Sequence, residues 1–149
     1  MKIIKEIDAL QTFSVRHPVL RPGKSIESCR FDGDNLPTTK HFGLYSNDLL
    51  VAVLTILENN SKLFKSKKQY QIRGMAVLIE FQKKGFGEDL IIFAESFIQK
   101  KHGDLIWFNA RIAAVGFYKK IGFSIIGEAF EIKEVGTHFV MFKKNIQIS

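Results

Sequence analysis

Covalent bracing is almost absent from this chain, which has one cysteine, Cys29, in 149 residues. No internal disulfide can form. The opening Met1-Lys2-Ile3-Ile4-Lys5-Glu6-Ile7-Asp8 alternates charge with apolar residues instead of offering a secretory leader, so a reducing, cytoplasmic setting is expected. Long apolar runs are missing too. The longest, Leu49 to Leu57 with Thr55 inside it, is about half of what a membrane-spanning helix needs, so no membrane partner is expected. Proline is scarce, and Pro18, Pro22 and Pro37 all fall in the first third of the chain. There is no internal repeat, no Gly/Ser or Pro-rich linker and no block of like charge, which excludes solenoids and tethered modules and leaves a single domain over residues 1–149 as the expectation.

What is present has the balance of a globular protein: 46% hydrophobic and 25% charged residues, too apolar for intrinsic disorder or a collagen-like repeat. Fourteen Phe against three Tyr and one Trp suit a compact core better than a base-stacking surface. Lys and Arg number 22 against 15 acids, a formal charge of +7. That excess favours an anionic partner: nucleic acid, a phosphorylated cofactor or an acidic substrate. The basic residues are scattered in sequence and no aromatic-basic motif joins them, so nucleic acid ranks last and is not expected as a partner.

The first third reads as a short helix followed by turn-rich loops at Arg21-Pro22-Gly23-Lys24 and Asp32-Gly33-Asp34-Asn35-Leu36-Pro37. His41 to Tyr45 and Leu49 to Leu57, separated by Ser46-Asn47-Asp48, predict adjacent antiparallel strands. A polar turn follows over 58–68. Gln69 to Ile79 predicts a strand whose Gly74 marks a bulge or a close approach. After Gly85-Phe86-Gly87, the residues Leu90, Phe93, Ala94, Phe97 and Ile98 recur at helical spacing up to Lys100-Lys101-His102, with Gly103 as the stop. Leu105 to Phe108 predicts a strand, Ala113 to Lys120 a helix, and Phe123 to Ile126 and Thr137 to Phe142 two further strands. That order implies an α+β fold, helices packed on a mixed, mostly antiparallel sheet.

Gln82-Lys83-Lys84-Gly85-Phe86-Gly87-Glu88, between a strand and an amphipathic helix, is the sharpest chemical feature. Two glycines let the backbone turn tightly against a ligand, successive N–H groups converge, and the helix start adds partial positive charge, so a pyrophosphate could be held largely by main chain. A solvated turn that uses glycine for geometry alone is the other reading. The phosphate-loop pattern of NTPases is absent, and the third glycine of the dinucleotide fingerprint falls on Leu90. Metal chemistry is not expected: HExxH is missing, Asp32-Gly33-Asp34 fails the EF-hand pattern at Leu36 and Pro37, and His17, His41 and His102 lack ligand spacing. Cys29, with no histidine near it in sequence, reads as inert.

At Gln82, Gly85 and Gly87 the chain resembles the GCN5-related N-acetyltransferase (GNAT) family, whose acetyl-CoA motif reads Arg/Gln-x-x-Gly-x-Gly/Ala. Ala114-Val115-Gly116-Phe117-Tyr118-Lys119-Lys120-Ile121-Gly122-Phe123 is similar to the family's Ala-x-x-x-Tyr-x-x-x-Gly-Phe segment. Gly136-Thr137-His138-Phe139-Val140-Met141 and, more loosely, Arg16 to Asp34 resemble the bacterial ElaA-like branch. The resemblance implies a GNAT fold with a central sheet of about six to seven strands, splayed at strands 4 and 5, and acetyl-CoA as cosubstrate. It implies that Lys83, Lys84, Phe86 and Glu88, with Gln82, Gly85 and Gly87, cradle the pyrophosphate. Met75, Ala76 and Val77 fall on the bulged strand, where the Met75 N–H would polarise the thioester oxygen and Val77 would pair with pantetheine. Tyr118 aligns with the tyrosine that protonates the departing thiolate.

The chain also departs from the family pattern. The asparagine that often binds pantetheine is Arg111 here, with Asn109 two residues earlier. Arg73 and Gln71 stand where relatives carry a base, and neither can be one; Arg73 would suit a carboxylate or phosphate on the acceptor. His138 is then the first candidate base, followed by Glu128 and Glu131. Arg16, Arg21, Asp32, Asp34 and Arg73, with Glu128 and Glu131, are candidates for the acceptor pocket. The expected activity is direct acetyl transfer from acetyl-CoA to a primary amine of a small molecule or peptide in a ternary complex, with a homodimer left open. The competing reading is a non-catalytic acyl-CoA-binding regulatory module.

Overall fold

A computed structural model describes residues 1–144. Seven strands share one sheet in the order β1-β2-β3-β4-β5-β7-β6. The strands are β1 (Lys2–Ile7), β2 (Lys40–Ser46), β3 (Leu49–Glu58), β4 (Gln69–Val77), β5 (Leu105–Arg111), β6 (Ser124–Ile132) and β7 (Gly136–Lys144). Three helices accompany them: α1 (Phe13–Leu20), α2 (Phe86–Lys100) and α3 (Val115–Lys120). This is the mixed α+β sheet expected. The described chain forms two compact units, one made of Met1–Glu58 with Ile72–Ser96, the other of Asn59–Gln71 with the chain from Phe97 onward.

In the first unit β1, β2 and β3 pair antiparallel. The β2–β3 turn needs two residues with positive φ, and Asn47 (49°) and Asp48 (70°) provide them, the chemistry of a tight two-residue hairpin. β3 is apolar almost throughout because Val51, Ala52, Val53, Leu54 and Ile56 are completely buried, so neither face of the strand is left to water. Ile7, Val15, Val53 and Ala76 make a core cluster, with Val19, Leu20, Tyr45, Leu50 and Leu78 packed around it. Buried Leu90, Ile91 and Ala94 hold α2 down, each large side chain contributing about 1.5–3 kcal/mol. The expected β4 strand ends earlier than Ile79: Leu78 leaves it and Ile79–Phe81 form a 3₁₀ turn.

In the second unit β5 pairs antiparallel with β7, and β7 with β6. The parallel register of β4 on β5 is short, Gln69–Gln71 against Leu105–Trp107. Gln69, completely buried, spends its side chain on the loop before it, accepting from the Ser61 N–H (2.7 Å) and donating to the Ser66 carbonyl (2.9 Å). The Trp107 indole N–H donates to the Asn59 carbonyl (2.8 Å) at the loop's start. β6 runs six residues past the expected Ile126, through a register shift between Ile126 and Phe130 where Gly127 has φ +77°.

Candidate functional site

The strand-to-helix turn is built for exposed main chain. Lys83 and Gly85 both take positive φ (63° and 85°), which turns the backbone sharply before α2, and among the described residues nothing beyond its chain neighbours stands within 4 Å of where a Gly85 side chain would begin. The helix starts at Phe86, earlier than the glycine pattern suggested, and its first ladder bond runs from the Asp89 N–H to the Gly85 carbonyl (3.0 Å). Phe86, Gly87 and Glu88 therefore present N–H groups that have no acceptor inside the helix. Phe86 is buried and stacks on Phe81 at 6.4 Å, so its ring anchors the helix start and only its main chain can meet a ligand. Gln82 donates its amide to the Val77 carbonyl (3.0 Å), tying the turn to the end of β4. Lys83, Lys84 and Glu88 are exposed, and Lys2 clamps Asp89 in the first helical turn at 2.7 Å. The geometry fits an anion such as a pyrophosphate.

Within β4, Gly74 has φ +62°, so the expected irregularity is real. Ala76 is buried in the core cluster, while Met75 and Val77 are half-buried. Arg73 donates to the Asp32 carbonyl, and burial pushes its guanidinium below its ordinary value despite the Asp32 and Asp34 carboxylates nearby. Arg21 lies over the Phe31 ring at 4.8 Å and donates to the Leu20 carbonyl, and the Asp32 side chain is exposed.

Arg16 and Asp34, expected to line an acceptor pocket, are placed differently. Arg16 is completely buried and its guanidinium grips both Asp34 oxygens (2.8 and 3.0 Å), the Cys29 carbonyl (2.8 Å) and the Thr55 hydroxyl (2.9 Å). Burial raises the Asp34 carboxyl, but hydrogen bonds from Arg16 and the Phe31 N–H, with the Arg16 charge, overcome it and hold the group below its ordinary value. These two side chains hold each other, and neither is open to a substrate. Cys29 is buried and its thiol is raised by that burial, which keeps it a thiol at neutral pH.

In the second unit Tyr118 is buried on α3 against Phe108 (ring centroids 4.4 Å), Phe117 (5.1 Å) and Phe123 (6.2 Å). Desolvation pushes its phenol up to about 12, so it is protonated and able to donate throughout the neutral range. Asn109 is exposed on β5. His138 is buried, opposite Arg111 on β5 and Phe130 on β6. Its Nδ1 lies 2.8 Å from the Gly136 carbonyl, an oxygen that can only accept, so Nδ1 carries the proton and Nε2 keeps the lone pair a base needs. Glu128 lies in the β6 irregularity, and Glu131 accepts from the Thr137 hydroxyl; both are exposed.

Sequence reading missed Phe31, His41 and Thr55 as partners of this chemistry. Thr55 alone left a trace, as the one hydroxyl inside an apolar run.

A strand with a left-handed break leads into a turn at a helix start whose N–H groups have no acceptor inside the helix, an arrangement that suits an anionic ligand. A model of the acetyltransferase (GNAT) domain matches residues 24–146, and the chain belongs to that family of N-acetyltransferase enzymes. It is 32% identical over 140 residues to the uncharacterized N-acetyltransferase YitI of Bacillus subtilis (strain 168), covering 94% of each chain. Its fold matches Escherichia coli ElaA with TM-score 0.74 at 20% identity, over 96% of this chain and 99% of that one. It also matches an aminoglycoside 6′-N-acetyltransferase complexed with coenzyme A, with TM-score 0.75 at 15% identity, over 99% of both. Those two are likenesses of fold.

Proposed function

We propose that the chain is one catalytic domain that transfers acetyl from acetyl-CoA directly to a primary amine of a small molecule or peptide, in a ternary complex and in a reducing, cytoplasmic setting. The observation that carries this is the turn from Lys83 to Glu88, whose positive-φ residues and unladdered N–H groups suit a pyrophosphate. Asn109 and the main chain of Val77 are assigned to pantetheine. The Met75 N–H is assigned to the thioester oxygen, where one well-aimed donor lowers the barrier by about 3 kcal/mol as negative charge develops.

The amine nitrogen attacks the thioester carbon, the tetrahedral adduct collapses, and the C–S bond breaks with its electron pair on sulfur. The thiolate takes its proton from the Tyr118 phenol. With a phenol near 12, that transfer is uphill toward an ordinary thiolate, so it needs a sulfur desolvated as the phenol is. His138 Nε2 takes the amine proton, with Glu128, Glu131 or water next in order. Arg21, Asp32 and Arg73 are assigned to the acceptor, with Arg73 suited to an anionic group on it.

The test is calorimetric titration with acetyl-CoA, then thiol release across a panel of amines, for the wild type and Gly85→Val. The variant should lose at least about tenfold in affinity with its thermal transition retained, since a β-branched residue resists φ > 0. Unchanged affinity, or binding with no amine acetylated, removes respectively the cradle and the catalytic reading; the second result favours an acyl-CoA-binding module. A wild-type pH profile in His138→Ala moves the base to the carboxylates or water.

A further inference from the structure

A closed ring of polar groups lies inside the first unit, among residues to which no step of acetyl transfer has been assigned. Thr55 Oγ1 stands 2.7 Å from His41 Nδ1, and His41 Nε2 stands 2.9 Å from the Asp34 carbonyl oxygen. The carbonyl only accepts, so Nε2 carries the imidazole proton and Nδ1 accepts from the Thr55 hydroxyl. That hydroxyl in turn accepts from Arg16 Nη2, and Arg16 returns to Asp34 through both carboxylate oxygens. Asp34 also receives the Phe31 N–H at 3.0 Å, and the Phe31 ring lies 4.1 Å from the Arg16 guanidinium carbon. With the Cys29 carbonyl taking the other Nη1 hydrogen (2.8 Å), every direction of the guanidinium is fixed except one.

The exception is Nε, which is buried with no hydrogen-bond partner among the described residues, a costly arrangement that native proteins keep for a reason. A Cβ built on Gly74 would stand 3.1 Å from that Nε, 3.1 Å from Phe31 Cε2 and 3.3 Å from Arg16 Nη2, and Gly74 has φ +62°. The flat edge of the guanidinium and the Phe31 ring are thus a floor against which the left-handed residue of β4 is laid. A buried ion pair is a weak source of stability, since apolar side chains of equal size often do as well. A planar, rigidly held group is a good template for a backbone that has no Cβ at that point.

We propose that Arg16, held by Asp34, Thr55 and His41, is a positioning residue for acetyl transfer: it fixes the turn at Gly74 and so aims the N–H of Met75, the next residue. This rests on the assignment of that N–H to the thioester oxygen. A donor aimed within hydrogen-bond range polarises a carbonyl, and a small rotation of the peptide removes most of the effect. The network sets the polarisation, while the turn from Lys83 to Glu88 sets most of the affinity.

The experiment reads the thioester carbonyl itself. Isotope-edited infrared difference spectra of [1-¹³C]acetyl-CoA, free and bound, are taken with the wild type, Thr55→Val, Thr55→Ser and Gly74→Ala, beside calorimetric affinities and thermal transitions. Thr55→Val keeps the shape and deletes the hydroxyl that joins Arg16 to His41; Thr55→Ser restores it. Bound acetyl-CoA should show a lowered carbonyl frequency with the wild type. Thr55→Val and Gly74→Ala should lose at least about half of that shift while affinity stays within about threefold, and Thr55→Ser should recover it. The full shift in folded Thr55→Val, or a loss that Thr55→Ser does not recover, overturns the proposal. Where Thr55→Val does not fold, Gly74→Ala decides: an unchanged shift overturns the proposal and a diminished one at retained affinity supports it. A wild type that binds acetyl-CoA with no carbonyl shift removes the Met75 assignment and this proposal with it, and one that binds no acetyl-CoA removes the acetyl-transfer reading as well.

Discussion

A phenol on the edge of a ring cluster is an unusual acid, and Tyr118 shows what burial does to it. The unfolded side chain ionises near 10 and the folded one near 12, because the phenolate would have to leave water for a pocket of Phe108, Phe117 and Phe123. The raised value fixes the sign of the linkage. Below about pH 10 both states hold the proton and the full stability is present; above it the unfolded chain ionises first, and stability is lost until the folded phenol also ionises near pH 12. The stability at stake is about 3 kcal/mol. Tyr118→Phe should flatten that alkaline decline in chemical denaturation curves. It should also slow single-turnover thioester cleavage by at least about tenfold with little change in acetyl-CoA affinity, since the proton is needed only as the thiolate forms. A decline that persists in Tyr118→Phe would assign the alkaline transition to another group, and unchanged turnover would leave Tyr118 as packing.

At the scale of elements, local chemistry written in neighbouring residues was legible and chemistry divided among distant ones was not. The β2–β3 hairpin could be read because Asn47 and Asp48 tolerate the positive φ the turn demands. α2 could be read because its apolar residues recur on one face. α2 ends at Lys100, two residues before the expected last turn closes, and Gly103 is not its left-handed residue: that is His102, at φ 62°, while a Cβ at Gly103 would stand 2.6 Å from Ile98 and 2.7 Å from Tyr70. β1 is not signalled by burial since, of its six residues, only Ile7 is buried, so the strand exists through its ladder with β2 and not through a buried apolar face. The ring of Arg16, Asp34, His41 and Thr55 was illegible because its members come from α1, a loop, β2 and β3, and no spacing connects them. The segment over 58–68 reads as a polar turn, yet Glu58 still belongs to β3 and Gln69 pins the loop from inside. Gln69→Leu should leave the Ser61 N–H and the Ser66 carbonyl without their partner, cost about 1–3 kcal/mol, and speed amide exchange at residues 61–66 ahead of the strands. Exchange that rises evenly everywhere, or not at all, would deny Gln69 that role.

For the molecule as a whole, charge that looks scattered along the chain is divided unevenly. Residues 59–71 and 97–149 carry twelve Lys and Arg against four Asp and Glu, a balance of +8, while the rest carries ten against eleven, a balance of −1; together these give the formal +7. Lys62, Lys65 and Lys67 are exposed, and among the described residues none of the three has an acidic partner. Like charges gathered in one compact unit repel, and the repulsion is screened once the Debye length falls from about 30 Å at 0.01 M salt to about 10 Å at 0.1 M. Sodium chloride should therefore stabilise the strands β5, β6 and β7 more than β1, β2 and β3. The expected gain is of order 1 kcal/mol, or about 2–4 °C in the midpoint of a domain of this size. Hydrogen exchange resolved by peptide would show it as slower opening confined to the basic unit. Equal protection in both units would mean that the hairpin strands feel the same field, and that the excess charge is too dispersed in space to repel. Replacing Lys62, Lys65 and Lys67 together by Gln should reproduce the effect of salt at 0.01 M. Their removal should then leave less for added salt to screen, so the two treatments should not add.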